Sequence, residues 1–436
     1  VKKTSVKVDS KKNDVQGRHT VDTKIFEVLQ SRGYVYQCTD SEGLQKRLAS
    51  GERLTFYLGI DPTADSLHIG HFFALMMFRH LQRAGHKGIL VIGGATAMVG
   101  DPSGKSDLRK VLTADMVAKN IAEVGEIAKK FVDTVGDNAA VIVDNSEWLA
   151  KYSYIDFMRE IGVHFNVAKM LAADAYAKRL AGGGLTFLEM GYMPMQAFDF
   201  AHLHKAYGCV LQIGGSDQWG NIVAGTNLAR KRGLAEGVET KQQEDLFGLT
   251  SPLLLNKDGN KMGKTEKGAL WVARDKTSVY DFYQYFYNID DADVGMLLRL
   301  FTDVPLSEIE TVCKQDILKA KKLMAYEITK LVHGVEDADK VLQAVAGLFG
   351  GGDGGENAPL SAFAVKGGKI GVVDLFFESG LVASKGEVRR LIEQNGLVVD
   401  GQKVASIQMM VTRPKDKNFV LLKKGKKNYM KVEFVD

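Results

Sequence analysis

The sequence predicts an α/β chain: a doubly wound parallel sheet, then an α-helical domain, then a small α+β domain. Three observations carry this. Apolar runs of strand length recur at Leu54 to Ile60, Gly88 to Gly93, Ala139 to Asp144 and Cys209 to Gly214, with helical patterns between them. After Lys276 the spacing turns helical over Val279 to Asn288, Ala292 to Phe301 and Ser307 to His333, with no convincing strand. Beyond a glycine-rich stretch, Val372 to Glu378, Lys385 to Gln394 and short apolar runs up to Val435 read as a mixed unit. The first arrangement is Rossmann-like, and in such sheets ligands bind beyond the carboxyl ends of the strands.

In chain order, residues 1–23 lean basic and lack an apolar stretch, so they read as a flexible extension rather than a secretory signal. Residues 24–275 form the sheet domain. Within it, LTFYLGI (Leu54 to Ile60) is a buried strand that Asp61-Pro62 breaks, and His71 to Ala84 is amphipathic at helical spacing. His68 and His71 therefore fall in the first turn of a helix, where unpaired N–H groups and a partial positive charge attract phosphates. Two imidazoles three residues apart share one face and add donors to the same anion, while Gly70 keeps a side chain out of the way of a flat base. Three strands end in Gly, Asp or Pro clusters: GIDPT, GGAT leading to GDPSGK, and GGSDQWGN. These converge on one crevice.

In YMPMQAFD, Tyr192, Gln196 and Asp199 are spaced four and three apart and share a helical face. Pro194 is tolerated only near the helix start, which sets Tyr192 near the cap and Asp199 inside. A phenol, an amide and a carboxylate thus face one small ligand, and Tyr57 closes the pocket from the opposite wall. The loop KMGKT (Lys261 to Thr265) can bring two lysines to a polyphosphate. Alone it reads as a solvated basic loop; following the HIGH helix start about 190 residues earlier, it reads as a partner. Residues 276–346 form the helical domain, 347–368 a linker with five glycines within Gly350 to Gly355, and 369–436 the last domain.

Composition is that of an ordinary water-soluble chain: 45% hydrophobic, 25% charged, net charge +4. The longest apolar run, Ile89 to Gly100, is about half a membrane span, so no membrane partner is expected. Cys38, Cys209 and Cys313 are odd in number and widely separated, which excludes a disulfide framework and a paired zinc spacing and points to a reducing, cytoplasmic location. Charge is uneven. Val411 to Asp436 holds eight Lys or Arg against three Asp or Glu, a footprint for an anionic partner.

HIGH and KMGKT together resemble the two signatures of class I aminoacyl-tRNA synthetases, HIGH and KMSKS. YLGIDPTADSLHIGH, GGAT...GDPSGK, YMPMQAFDF and LQIGGSDQWGN are similar to the bacterial-type tyrosyl members, from about Phe26 to the C-terminus. The resemblance implies a tyrosine--tRNA ligase: tyrosine is activated with ATP, pyrophosphate leaves, and the tyrosyl group passes to the terminal adenosine of tRNA(Tyr). It implies that Tyr57 and Asp199 read the phenolic hydroxyl, a pairing that phenylalanine would leave buried and unsatisfied. It implies Tyr192, Gln196 and Asp101 for the α-ammonium group and Gln218 for the carboxylate. Asp217, with Gly214 and Gly215 beside it, would hold the ATP ribose; Asp61, Thr63, His68, Gly70, His71, Lys261 and Lys264 belong to the nucleotide. His68, His71, Lys261, Lys264 and Thr265, with Lys105 and Arg109 of a second basic loop, would stabilise the transferring phosphates.

ATP is then a substrate accompanied by Mg2+, with no tightly bound cofactor and no protein metal site, and a homodimer is expected. The helical domain would contribute to anticodon recognition. Val373 to Val404 resembles an RNA-binding module of a small-subunit ribosomal protein, placing Lys385, Arg389 and Arg390 on tRNA phosphates. The sequence departs from the family at the Gly of KMGKT, at Pro194 and Phe198, and at Ala74, which lacks a hydroxyl that some relatives place near the nucleotide. Two alternatives share the features. A tryptophanyl synthetase has both signatures but no need of a Tyr57 and Asp199 pair, and a noncatalytic RNA-binding paralogue would be expected to lose His68, His71, Lys261 and Lys264.

Overall fold

The computed structural model describes residues 21–103, 112–235, 245–265, 268–349, 361, 363–415, 417–425 and 428–435. The chain divides into two compact units, Val1–Thr277 with Asn288–Met324, and Ser278–Tyr287 with Ala325–Asp436.

The first unit is built on a six-stranded sheet. Its strands are β1 (Gln37–Cys38), β2 (Thr55–Ile60), β3 (Lys87–Ile92), β4 (Val141–Asp144), β5 (Cys209–Gly215) and β6 (Phe247–Ser251), in the order β1-β6-β5-β2-β3-β4. All neighbours are parallel except the edge pair β1 and β6. The four expected strands are present, with boundaries moved by one or two residues. Two more lie on one side. β6 (FGLTS) escapes an apolar-run reading because it is five residues long and carries Gly, Thr and Ser, yet every one of its residues is buried. Gly248 explains part of this: a Cβ there would overlap Ile222 Cγ2, on the helix Trp219–Ala235.

The strand order reverses between β2 and β5. The chain runs from β2 outward to β3 and β4, then returns to the other flank of β2 as β5. Such a reversal splits the connections to opposite faces and opens a crevice at the carboxyl ends of the two strands. Register places Tyr57 of β2 beside Ile89 of β3 on one side and Gln212 of β5 on the other. The helix Ile69–Arg83, entered directly from the β2 turn, buries Phe72, Phe73, Leu75, Met76 and Phe78. Phe56 of β2 meets Phe78 edge-on, with ring centroids 4.8 Å apart.

Two histidines of this core are held neutral. His86 is fully buried and its Nδ1 accepts the Leu54 N–H at 3.3 Å; burial, with the Arg47 and Arg53 charges, lowers its pKa to about 4. Burial first, then the charge of Arg32, takes His80 to about 4 as well. Both folded-state values lie below the unfolded value of about 6.5, so the unfolded chain binds more protons between the two. Stability should be full above about pH 6.5 and fall as pH drops toward 4. Calorimetry across that range checks this, and His86→Gln, which keeps an acceptor for Leu54, should show a shallower decline.

The helical stretch read as Ser307 to His333 is two helices, Leu306–Gln315 and Ile317–His333, broken at Asp316, whose backbone is extended. In the second unit, Val335–Phe349 is a helix running two residues past the start of the glycine-rich stretch; residues 350–360 lie outside the described residues. A five-stranded sheet follows in the order Gln402–Lys403, Leu397–Val399, Phe419–Lys424, Asn428–Val435, Val365–Lys366. The helices Val372–Glu378 and Lys385–Glu393 are where the sequence places them, and bury Leu375, Phe376, Val388 and Ile392 among Leu422, Val432 and Phe434. Among the described residues, no helix is long and apolar enough to cross a membrane.

Candidate active site

A cavity of about 560 Å³ opens at the β2 and β5 strand ends. Its wall includes Tyr57, Asp61, Thr63, His68, Gly70, His71, Asp101, Tyr192, Gln196, Asp199, Gly215, Asp217, Gln218 and Lys261. The sequence-predicted residues of the first unit thus gather in one place, apart from four. Lys105 and Arg109 lie outside the described residues, and for Lys264 and Thr265 only the backbone is described, as a short strand paired with Gly268–Ala269.

At the floor, the helix Tyr192–Tyr207 begins at Tyr192 with Pro194 in its first turn, where a missing N–H costs nothing. Asp199, 4% exposed, accepts from Trp148 Nε1 at 2.8 Å and from Asn145 Nδ2 at 3.0 Å. Burial pushes its carboxyl up to about 7, against those two donors, with Asp61 and Asp144 adding to the rise. Tyr57 is 1% exposed and its ring packs on Phe200. Burial, and then the charge of Asp199, raises its phenol well above the usual range. Among the described residues its hydroxyl has no hydrogen-bond partner, nor do Gln212 Oε1 and Ser103 Oγ, whose residues also line the cavity. Buried polar groups are rarely left so.

Asp61 accepts from the Tyr192 hydroxyl at 2.8 Å on one oxygen and from the Thr96 hydroxyl at 2.7 Å on the other. The sequence reading assigns Asp61 to the nucleotide; in the structure its two oxygens hold Tyr192 and Thr96. With its only proton on Asp61, Tyr192 Oη presents lone pairs, the arrangement that accepts from an ammonium group. Asp101 accepts from Ser103 N at 2.9 Å and Gln218 Nε2 at 2.6 Å, so the Gln218 amide expected at a substrate carboxylate here donates to Asp101. Gln196 Oε1 accepts from Asn221 Nδ2 at 2.9 Å. Burial raises the Asp217 carboxyl, with Lys261 opposing and Asp101 reinforcing. Gly215 leaves room beside it: a Cβ there would stand 2.7 Å from Asp217 Oδ1.

At the other end, His68 caps the helix Ile69–Arg83. Its Nδ1 accepts from Gly70 N at 3.1 Å and His71 N at 3.3 Å, and His71 Nδ1 accepts from His68 N at 3.4 Å. This is a reciprocal capping box made of imidazoles, whose rings stack 3.8 Å apart. It corrects one expectation. The backbone N–H groups of Gly70 and His71 are directed to the ring of His68 rather than left for a phosphate. Because both Nδ1 atoms accept, each neutral ring carries its proton on Nε2, which is the donor it can offer to an anion. Gly70 also serves His68, since a Cβ would lie 3.0 Å from its ring.

The KMGKT segment is joined to this helix entry by backbone. Gly263 O accepts from Leu270 N at 2.7 Å, Leu270 O from Ile69 N at 3.2 Å, and Leu67 O from Val272 N at 2.9 Å, with His68 and Trp271 bridged antiparallel. Gly263 has φ +84°, and a Cβ there would overlap Ile69 Cγ2. The glycine that departs from KMSKS therefore suits both the left-handed backbone and the packing. Gly263→Ala should displace the loop and raise the KM for nucleotide several-fold, with amino-acid affinity unchanged; separate titration of the two substrates reads the difference.

Sequence reasoning missed Thr96, Asn145, Trp148, Gln212 and Asn221. Asn145 stands one residue beyond β4, so the strand-end rule applied to the fourth strand would have found it. In the second unit, Arg389 and Arg390 are exposed on the helix Lys385–Glu393, while Lys385 pairs with Asp374 at 2.7 Å.

The family described as tRNA synthetases class I (W and Y) matches residues 49–350, and a Tyrosine--tRNA ligase SYY-like C-terminal domain matches residues 355–432. The chain is 45% identical to the tyrosine--tRNA ligase of Clostridium tetani over 412 residues, 94% of this chain and 98% of that one. It is also 45% identical to that of Acetivibrio thermocellus, over 95% of this chain and the whole of the relative. Among solved structures, a C-terminally truncated mitochondrial tyrosyl-tRNA synthetase from Aspergillus nidulans superposes with TM-score 0.67 at 29% identity, covering 74% of this chain and 94% of that one.

Proposed function

The chain belongs to the tyrosine--tRNA ligases of the class I tRNA synthetase family, and from that premise we propose how its residues perform the reaction. As an ATP-dependent enzyme it activates tyrosine and transfers it to tRNA. The observation that carries the side-chain assignment is the buried hydroxyl of Tyr57, without a partner among the described residues, on the same wall as the Asp199 carboxylate. A substrate phenol accepts from Tyr57 and donates to Asp199. Phenylalanine leaves the Tyr57 hydroxyl buried and unpaired and gives Asp199 no third donor, and an indole offers no acceptor to Tyr57.

The α-ammonium group sits on the lone pairs of Tyr192 and on Gln196, near the Asp101 carboxylate. Gln218 meets the substrate carboxylate after its amide leaves Asp101. That carboxylate is already a nucleophile at neutral pH. It forms a bond to the α-phosphorus of ATP as the bond to the bridging oxygen breaks and pyrophosphate departs with the electron pair. Asp217 holds the ribose hydroxyls, and Gly70 and Thr63 line the nucleotide's place. His68 and His71 donate from Nε2 to phosphate oxygens, joined by Lys261, Lys264 and Thr265 and by Lys105 and Arg109. Mg2+ accompanying ATP would supply further positive charge against the phosphates, beside the basic residues named above. A hydroxyl of the tRNA terminal adenosine then takes the tyrosyl group, and AMP leaves.

Residues 276–346 serve anticodon recognition and 369–436 bind tRNA, with Lys385, Arg389 and Arg390 on backbone phosphates; weakening affinity with rising salt checks this. A homodimer is supported by exposed apolar side chains gathered in one stretch, among them Ile155, Met158, Val163, Phe187 and Leu188. Sedimentation of the wild type and of Phe187→Glu reads it, the variant shifting toward monomer. Three free cysteines fit a cytoplasmic location. The decisive assay is exchange of labelled pyrophosphate into ATP. Dependence on tyrosine supports the reading; exchange with tryptophan alone, or none, overturns it.

A further inference from the structure

A continuous hydrogen-bond chain runs along the amino-acid side of the cavity, and its middle members are Thr96 and Asn145. Tyr192 donates to Asp61 at 2.8 Å, Thr96 donates to the other Asp61 oxygen at 2.7 Å, and Asn145 Nδ2 donates to Thr96 Oγ1 at 3.0 Å. The same Nδ2 donates its second hydrogen to Asp199 at 3.0 Å, and Trp148 closes the chain on the far oxygen. Donor and acceptor roles are fixed throughout. Asn145 Oδ1 is taken by Ala95 N at 2.9 Å, which sets the amide's orientation, and the single proton of Thr96 is committed to Asp61.

We propose that Thr96 is a positioning residue for tyrosine, holding the Asp61–Tyr192 pair at the ammonium end in register with the Asn145–Asp199 pair at the phenol end. Thr96 is 2% exposed and its hydroxyl both donates and accepts within the protein, so it acts through its neighbours rather than on substrate. Asp61 held from one side by Thr96 keeps the Tyr192 proton, and with it the lone pairs of Tyr192, in one orientation. Asn145, anchored on Thr96, keeps Asp199 in place. The fold makes room for this joint: a Cβ on Gly93 would overlap both Asp61 Oδ1 and Thr96 Oγ1. Gly93 has a negative φ of −81°, so space rather than a left-handed backbone explains the glycine.

The proposal rests on the tyrosine reading above and is tested on the full chain by steady-state pyrophosphate exchange. Thr96→Val removes the hydroxyl and keeps the shape. It should raise the KM for tyrosine about 10-fold, the worth of one to two hydrogen bonds, while kcat and the KM for ATP stay within about 2-fold. The preference for tyrosine over phenylalanine should fall roughly 5-fold, because Asn145 also holds Asp199. Thr96→Ser keeps the hydroxyl and should behave as wild type. An unchanged tyrosine KM in Thr96→Val, a Thr96→Ser variant as impaired as Thr96→Val, or a parallel rise in the KM for ATP would each overturn the positioning role. A wild type that exchanges with tyrosine leaves the functional reading standing in all three cases; a wild type without tyrosine-dependent exchange sinks both.

Discussion

Asp199→Ala is expected to lower kcat/KM for tyrosine on the order of 10³-fold while the protein still unfolds cooperatively. The substitution removes the proposed acceptor for the substrate phenol and also leaves the Trp148 and Asn145 donors facing a hole. Each unsatisfied buried group costs about 1–3 kcal/mol, and about 4 kcal/mol against the transition state corresponds to 10³ in rate. Tyrosine-dependent pyrophosphate exchange measures it, and activity near wild type would remove Asp199 from the site. Burial pushes the carboxyl up to about 7, and only the ionised form accepts from the phenol without surrendering a lone pair to its own proton. For the wild type, kcat/KM for tyrosine should therefore rise with pH through about 7 and level off above it. In Asp199→Asn that rise should disappear.

His68→Asn should cost about 10²- to 10³-fold in kcat with little change in tyrosine binding. Asparagine is a good N-cap, so it can still take the Gly70 or His71 N–H and keep the helix start formed. What it cannot supply is the Nε2–H that the proposed mechanism gives to a phosphate, and removing one donor to developing charge has a cost of this size. Comparing His68→Asn with His68→Ala separates the two roles of the ring. The alanine variant should lose a further 0.5–2 kcal/mol of stability with the cap. Equal activity of wild type and His68→Asn would assign the histidine to capping alone.

The sheet and the helix Tyr192–Tyr207 were legible because long apolar runs and four-three spacing report burial directly, whatever the tertiary partners. β6 was not, since a strand that packs a helix against Gly248 needs small residues where the pattern looks for large ones. The side chains lining the cavity were legible where a motif carried them, as with Tyr57, Asp101 and Asp217. Their pairings were not. Nothing in the spacing of Asp61 and Tyr192, 131 residues apart, announces that one carboxylate orients the other's phenol. Likewise the two histidines could be placed at a helix start, but not the fact that their Nδ1 atoms consume the N–H groups expected to be vacant. Polar partners chosen by tertiary geometry leave no periodic trace.

The backbone join between the HIGH entry and the strand after KMGKT also sets an order in time. Tyr57, Asp101, Tyr192, Asp199 and Gln218, the side chains around the amino-acid end, have all been synthesised by residue 218. The nucleotide end is not closed until Trp271 pairs with His68, about fifty residues later. At roughly 5–20 residues per second, a nascent chain passes some seconds with its tyrosine-facing half translated and its ATP-facing half incomplete. On the proposed assignment, catalytic competence arrives only with this late pairing, and a chain ending before Trp271 is expected to lack tyrosine-dependent pyrophosphate exchange.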